Sequence, residues 1–496
     1  MTITEATRHY RAMFDNRSPE ELRDLAHLKR FMERMAGDPK FREALKENVD
    51  SPAGVTAALG IDIDPAEIMP LWRRSHLKYR GTEEADARWP KANAWDRWIK
   101  EMIAHRGLIR DTGNTRELHP RFDRWRTRQV ARSMSELGGS ADAIVHPVVA
   151  FELSDGCSVG CWFCGISADR FAGNFPYTPE HATLWQGVVG TMHDLFGTAV
   201  QTGFCYWATD PCDNPDYDRF IEDYYHITGA LPQTTTAAPL KDPALTRRIL
   251  ALFDQYRTVT NRFSVLSVKH MDKIHAAFTP EELLGVELVL QNREALAAKA
   301  NAGRARERIL KLRAAGKPDK IATIEIDHTT IACVSGFLVS MPKRRIQLVS
   351  PVPGSERYPR GYRIFDERNF TDAASFRAAI ESLIDEHMPT DVPGWWPARF
   401  REDLEYSPQD TGFLLRSRCM EHVVTNAACG KRVGGMLHEG DRTIREIVAT
   451  LVDEGASMFT VADMLDTVYM SGLLEEPDRP GAITDATRER AEPVEA

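Results

Sequence analysis

No apolar run in this sequence approaches the ~18 residues that a membrane-spanning helix requires, so no membrane partner is expected. Met1 to Arg17 carry charge and no apolar stretch, which speaks against a signal peptide. Basic charge is in deficit: 63 Lys and Arg face 72 Asp and Glu, for a net charge of −9. A general nucleic-acid surface is therefore not expected. Cysteine is sparse. Eight in 496 residues do not resemble a disulfide framework, and with no export signal a reducing, cytoplasmic compartment is the expectation. An apolar content of 43% and a charged content of 27% are ordinary for a globular chain, and the length suggests two to four domains.

Three of the eight cysteines stand together in Cys157-Ser158-Val159-Gly160-Cys161-Trp162-Phe163-Cys164. They follow the short apolar strand Val148 to Leu153 and the turn Asp155-Gly156. Soft thiolates at this spacing suit three corners of a [4Fe–4S] cluster. With no fourth cysteine at matching spacing, one iron is left open for chemistry. The alternatives are a zinc site, which usually wants four ligands, or three ordinary buried cysteines. The nearest histidine, His146, is outside zinc-finger spacing.

The C-x3-C-x2-C spacing, with an aromatic between the last two cysteines, resembles the radical S-adenosylmethionine (SAM) superfamily. The resemblance implies that the open iron chelates SAM, and that reductive cleavage yields a 5′-deoxyadenosyl radical able to take hydrogen from an unactivated C–H bond. It also implies an α/β fold: a partial (β/α)6 radical SAM barrel at 143–350, with the cluster at the carboxyl end of its first strand.

The βα alternation after the cysteines agrees with parallel units. Trp185 to Phe196 reads as the first crossover helix. Strands are expected at Thr198–Ala208, Leu231–Pro239, Arg262–Val268, Thr329–Val339 and Ile346–Ser350, the last two as a hairpin. Helices are expected from Asp242 to Gln255, from the capping box at Thr279 onward, and over Glu294–Ala315. Where the superfamily has a Gly-Gly-Glu-like stretch for the SAM amino group, this chain has Trp207-Ala208-Thr209-Asp210-Pro211. Trp207, Thr209 and Asp210 are thereby candidate cofactor contacts, with turn-capping the alternative for Asp210 and Asp213. Arg262, Ser264 and Ser267 are candidate SAM ribose or carboxylate contacts.

Flanking regions complete the domain plan. Residues 1–142 read as all-helical, with helices near 20–36, 39–48, 52–59, 65–73, 95–105 and 121–137 announced by apolar spacing and by capping residues before prolines. The segment Phe31–Arg42 through Gly60–Pro65 resembles the start of radical SAM enzymes that act on proteusins. A plain helical cap and a peptide-docking role stand as equal readings for it. The arginine-rich stretch Arg121–Arg132 reads as a solvated helix face, with contact to an acidic partner as the alternative. Residues 351–400 form a connecting, channel-lining segment with a helix at Ala373–His387. Residues 401–477, with the turn Gly440-Asp441-Arg442-Thr443, the helix after it and the closing Gly472-Leu473-Leu474-Glu475, resemble a small winged-helix-like α+β module that binds leader peptides. Residues 478–496 read as a disordered tail.

Together these stretches most resemble proteusin-type radical SAM peptide epimerases. The resemblance implies Cα hydrogen abstraction from an L-residue of a ribosomal precursor peptide, and a reductant such as flavodoxin or ferredoxin. A planar Cα radical needs hydrogen from its far face, and a thiol is a good donor. Cys333 is the first candidate donor and Cys212 the second. Each is otherwise a small buried hydrophobe. Crosslinking, backbone excision and a leader-binding protein with a structural cluster are the alternatives.

Overall fold

Several of the longer helices begin where a proline takes the first helical position, its missing N–H costing nothing there. The computed structural model describes residues 3–292, 294–295, 301–317, 330–425 and 429–476. At the front, α1 spans Glu5–Asp15, α2 Pro19–Gly37, α3 Pro39–Glu47, α4 Pro90–Thr112 and α5 Pro120–Leu137. The α2 start is a capping box between Ser18 and Glu21, and Asp38 accepts from the first N–H groups of α3. Helix α1 is absent from the sequence reading. The expected helix at 65–73 is a 3-10 turn, Pro65–Ile68, followed by Met69–Trp72, because Pro70 lacks an N–H to carry one helix through. Tyr10, Leu28, Phe31, Phe41, Ile68 and Trp98 give this region its own core.

The central sheet starts with β1 (Val149–Glu152). It continues with β2 (Thr235–Thr236), β3 (Asn261–Val265), β4 (Val286–Leu290), β5 (Gly336–Ser340), β6 (Arg345–Pro351) and β7 (Tyr362–Asn369). Strand β1 pairs in parallel with β5. On its other side single bridges link Ala150 to Phe204 and Phe204 to Gln233, and β2, β3 and β4 follow in parallel. Six parallel positions thus run β4, β3, β2, Phe204, β1, β5, with the hairpin β5–β6 and then β7 added antiparallel. Between them lie α6 (Pro179–Phe196), α7 (Tyr217–Thr228), α8 (Pro243–Tyr256) and α9 (Val268–Ala277). Among the described residues β4 and β5 are not paired, and α10 (Gly303–Ala314) lies in the connection between them.

Several expected elements are corrected. The second strand is a 3-10 helix, Gly197–Thr202, followed by a single bridging residue, Phe204, which pairs with Ala150 and Gln233. The Thr202 hydroxyl there donates to Ala199 O and accepts from the Val148 N–H, taking the place of a ladder. The Thr279–Glu282 box forms, but it opens a turn that runs into β4 rather than a helix. Residues 330–335 are irregular, so Cys333 precedes β5 instead of lying in it. Gly336 starts the strand, and a Cβ there would stand 2.1 Å from Val148 O. Of the expected helix at 294–315, only Gly303–Ala314 is seen. Residues 296–300, the strand start at Thr329 and the tail from 477 lie outside the described residues.

After α11 (Ala373–His387), the closing module is a three-stranded antiparallel sheet, β8 (Glu405–Gln409), β9 (Gly412–Arg416) and β10 (Glu421–Thr425). It is covered by α12 (Gly430–Glu439), α13 (Ile444–Asp453) and α14 (Met458–Met470). Phe413, Leu415, Val433, Leu437, Ile447 and Leu465 form its core. The sequence reading missed α12, whose Gly434 and Gly435 lower its propensity. Gly434 is required by packing, since a Cβ there would meet the Phe413 ring at 2.3 Å.

The arginines of α5 are not a solvated face. Arg128 Nε donates to Glu476 Oε1 at 2.9 Å, Gln129 to the same oxygen at 2.8 Å, and Arg124 to Asp466 at 2.9 Å. Arg401 reaches back to Ser135 and to Gly472 O. These bonds clamp the module to α5. Burial works to raise the Glu476 pKa, but Arg128, Arg363 and Arg132 outweigh it and hold the carboxyl down at about 2, from 4.5. A depressed carboxylate contributes stability above its unfolded pKa and loses it as pH falls from 4.5 towards 2. Glu476→Ala is expected to cost about 3–5 kcal/mol, as removal of one partner from a buried ion pair does. Chemical denaturation at pH 7 and pH 3 checks this, with the difference from wild type shrinking at the lower pH.

Candidate functional site

The cysteine loop leaves the carboxyl end of β1 and folds back on itself. Ser154–Asp155 pairs with Gly173–Asn174, and the Cys157 N–H donates to Asp169 O at 2.9 Å. Gly156 sits at φ +74, where a Cβ would come 2.2 Å from Arg170 O, so only glycine allows the turn into Cys157. Past Cys164, the Ala168 N–H points at the Cys164 sulfur, 3.4 Å away. Helix α10 closes over the loop: the Arg304 N–H donates to Cys164 O at 2.9 Å, and the Arg308 guanidinium lies over the Trp162 ring.

The three thiols are half-buried and unbridged. Burial pushes Cys157 up to about 11, against the pull of the Val159 and Gly160 N–H groups. Burial, then the neighbouring Cys157 and Cys164, push Cys161 up to about 12. Thiols that disfavour one another's ionisation are suited to a shared cation. A tetrahedral zinc with Zn–S near 2.3 Å would draw its sulfurs to about 3.8 Å apart. Among the described residues, the only metal-ligand trio gathered within 4.8 Å is Asp366, Glu386 and His387. In that trio, Arg368 already bridges Asp366 and Glu386 at 2.8 and 2.9 Å, where a cation would sit.

Asp213 fixes the loop from beneath. Its buried carboxylate accepts from the Ser158 N–H at 2.8 Å, from the Ser158 hydroxyl and from Lys241 Nζ. Asp210 faces the same cysteines. Its Oδ1 accepts from Thr236 Oγ1 at 2.7 Å and the Cys212 N–H at 3.0 Å, and its Oδ2 from the Ala237 N–H at 2.7 Å. Burial still pushes its pKa up to about 6, from 3.8. The cap over Pro211–Asp213 is therefore real. A carboxylate offers about four acceptor positions, so one is not used by these bonds, and an ammonium group there would relieve the burial.

Thr209 is half-buried in the same turn. Trp207 is 6% exposed, and its ring meets Tyr362 edge-on. Phe263 and Val265 pack outward against Met271 and Ile274 of α9, so alternation along β3 puts Arg262 and Ser264 on the opposite face. There Arg262 donates to Glu287 at 2.8 Å. Ser267 is not with them. It caps α9, accepting from the His270 N–H at 3.0 Å, which corrects its reading as a cofactor contact.

Cys333 packs against one apolar cluster with Cys164, Tyr206, Ile166 and Trp207. Burial pushes its thiol up to about 12, opposed by Arg262. Cys212 is buried elsewhere, behind Asp210, where Thr236 Oγ1 donates to its sulfur at 3.3 Å. A cavity of about 630 Å³ opens beside the cysteine loop, lined by Glu152, Ser167, Trp207, Ser340, Lys343 and Tyr362 among others. Sequence reasoning missed Glu152 as a site residue. The available signal was a carboxylate ending an apolar strand five residues before Cys157. It missed Ser158 and Lys241 as partners of Asp213, because that contact joins three separate loops.

A family model described as "Protein y4wI C-terminal domain" matches residues 398–472, the span of the closing module. The uncharacterized protein y4wI of Sinorhizobium fredii (strain NBRC 101917 / NGR234) is 55% identical over 468 residues, covering 94% of this chain and 90% of its own length. No solved structure matches. Among the described residues no helix is long and apolar enough to cross a membrane.

Proposed function

The chain belongs to the family of protein y4wI, and we propose that it is a radical SAM peptide maturase that converts L- to D-residues in a ribosomally made precursor peptide. The observation that carries this reading is the meeting of Cys333 and Cys164 on one apolar cluster. A thiol outside the triad packs against the same apolar cluster as a proposed cluster ligand.

Cys157, Cys161 and Cys164 would hold a [4Fe–4S] cluster, and Asp210, Thr209 and Trp207 would contact SAM. That group, once loaded and reduced, supplies a carbon radical able to take hydrogen from an unactivated C–H bond. Asp213 and Lys241 keep the first turn of the loop in place. The apolar cluster keeps water from the reacting centre. The Cys333 thiol, with its pKa raised by burial, holds its hydrogen at neutral pH. After Cα has lost one hydrogen atom, the Cys333 S–H bond breaks and a new C–H bond forms on the opposite face. The sulfur radical left behind takes one electron from an external reductant such as flavodoxin or ferredoxin and one proton from solvent water.

The closing module would hold the leader. Strand β10 is at the edge of its sheet among the described residues, with Val423 68% exposed, and an extended peptide can add to such an edge.

Anaerobic incubation of the reconstituted protein with SAM, reductant and a genomically adjacent precursor in deuterated water tests the reading. The expected product gains about one mass unit per site, from solvent deuterium carried on the thiol, and yields a D-residue on hydrolysis. A loss of two units would mean crosslinking and overturn epimerisation. Absence of 5′-deoxyadenosine from loaded protein would leave a leader-binding Fe–S protein instead.

A further inference from the structure

The cavity beside the cysteine loop holds a carboxyl, that of Glu152, which the reaction above does not use. Glu152 ends β1 at its wall, and its Oε1 accepts from the Ala208 N–H at 3.3 Å. That bond sets the Glu152 carboxyl next to Trp207. Trp207 also lines the cavity, is 6% exposed, and its Nε1–H has no acceptor among the described residues. A buried donor without an acceptor is unfavourable, so a ligand acceptor would be favoured there. The wall therefore presents an acceptor and an unsatisfied donor. The cavity also has charged groups at its rim, where Lys343 Nζ lies 2.7 Å from Asp155 and Arg345 lies 3.9 Å from Glu367. Its volume, about 630 Å³, is within the range of sites that enclose small ligands.

We propose that this cavity holds a stretch of peptide backbone, with the Glu152 carboxyl accepting from a substrate N–H and the Trp207 Nε1–H donating to a neighbouring C=O. This rests on the reading of the substrate as a peptide and names how it is gripped. Backbone recognition is indifferent to side chains, so a single site can act on several residue types. Burial raises the Glu152 pKa, and either protonation state leaves a carboxyl oxygen able to accept. The grip is thus expected to hold across the neutral range.

The test uses the full chain without iron or SAM, and N-acetyl-tetra-alanine N-methylamide as the probe. The readout is the ¹H–¹⁵N indole resonance of Trp207, one of ten tryptophans, identified by its loss in Trp207→Phe. The probe is expected to shift that resonance in a saturable way. A depsipeptide analogue, with ester oxygens in place of the central N–H groups, is expected to bind about tenfold more weakly, the size of one lost hydrogen bond. Glu152→Leu should erase the difference between amide and ester, while Glu152→Gln, which keeps an acceptor oxygen, should preserve it. An unmoved Trp207 indole, or equal binding of amide and ester to the wild-type chain, would overturn the proposal. The amide–ester comparison needs no variant, so a misfolded Glu152→Leu does not blunt it. Because no iron is used, failure here is distinct from failure to cleave SAM, which would count against the radical chemistry alone.

Discussion

Cys333→Ala is expected to leave SAM cleavage intact and to lower D-residue formation by about 100-fold or more, since a positioned donor is worth far more than the same group free in solution. Two measurements separate the effects: 5′-deoxyadenosine release reports hydrogen abstraction, and amino-acid analysis of the hydrolysed peptide reports its return. Cys333→Ser should behave like alanine, because a hydroxyl holds its hydrogen too strongly to give it to a carbon radical. The pH dependence adds a check on the mechanism. Hydrogen donation needs the protonated thiol. An ordinary thiol near 8.5 would be largely ionised at pH 10, whereas burial puts this one at about 12. The step that depends on Cys333 should therefore stay flat up to pH 10. Normal product from Cys333→Ala would remove it as the donor. Cys212, held by Thr236 and Thr246 behind Asp210, would then be the remaining candidate.

The second large effect concerns the triad. Single alanine substitutions of Cys157, Cys161 or Cys164 are expected to abolish iron retention and to lower 5′-deoxyadenosine formation by well over 100-fold. Loss of an outer-shell partner typically costs ~10–100-fold, and loss of a ligand should exceed that. Iron and sulfide analysis with the visible absorption of the reconstituted protein gives a readout apart from turnover. The fold should survive, because the loop is held by contacts the sulfurs do not make. These include the Cys157 N–H to Asp169 O and the Arg304 N–H to Cys164 O, and Asp213 beneath Ser158. Near-UV circular dichroism matching the wild type would establish that. Full iron retention in all three variants would end the cluster reading.

Much of this was written in local order. The run C-x3-C-x2-C after an apolar strand is contiguous, so the triad and its place after β1 were legible without any structure. So were the helices with a cap and a proline at their start, such as α2, α3 and α8, because those signals act within a single turn. The boundary of the closing module was also legible, from Val392–Pro397 onward. Its leading helix α12 was not, because Gly434 is there for the Phe413 ring from another element, and that need leaves no local trace.

What only the tertiary structure decided is which residues meet. β1 pairs with β5, nearly two hundred residues apart, and this brings Cys333 onto the cluster that Cys164 contacts. Ser264 and Ser267 are three residues apart, yet one lies on a strand face and the other caps a helix. The arginines of α5 read as a solvated face because composition cannot register a partner such as Glu476, 348 residues away from Arg128. Glu152 and Trp207 share a wall for the same reason. Local propensity and spacing are fixed by neighbours in the chain, whereas burial and pairing are properties of the closed fold, and it is burial and pairing that set the pKa values and the unsatisfied donor at this site.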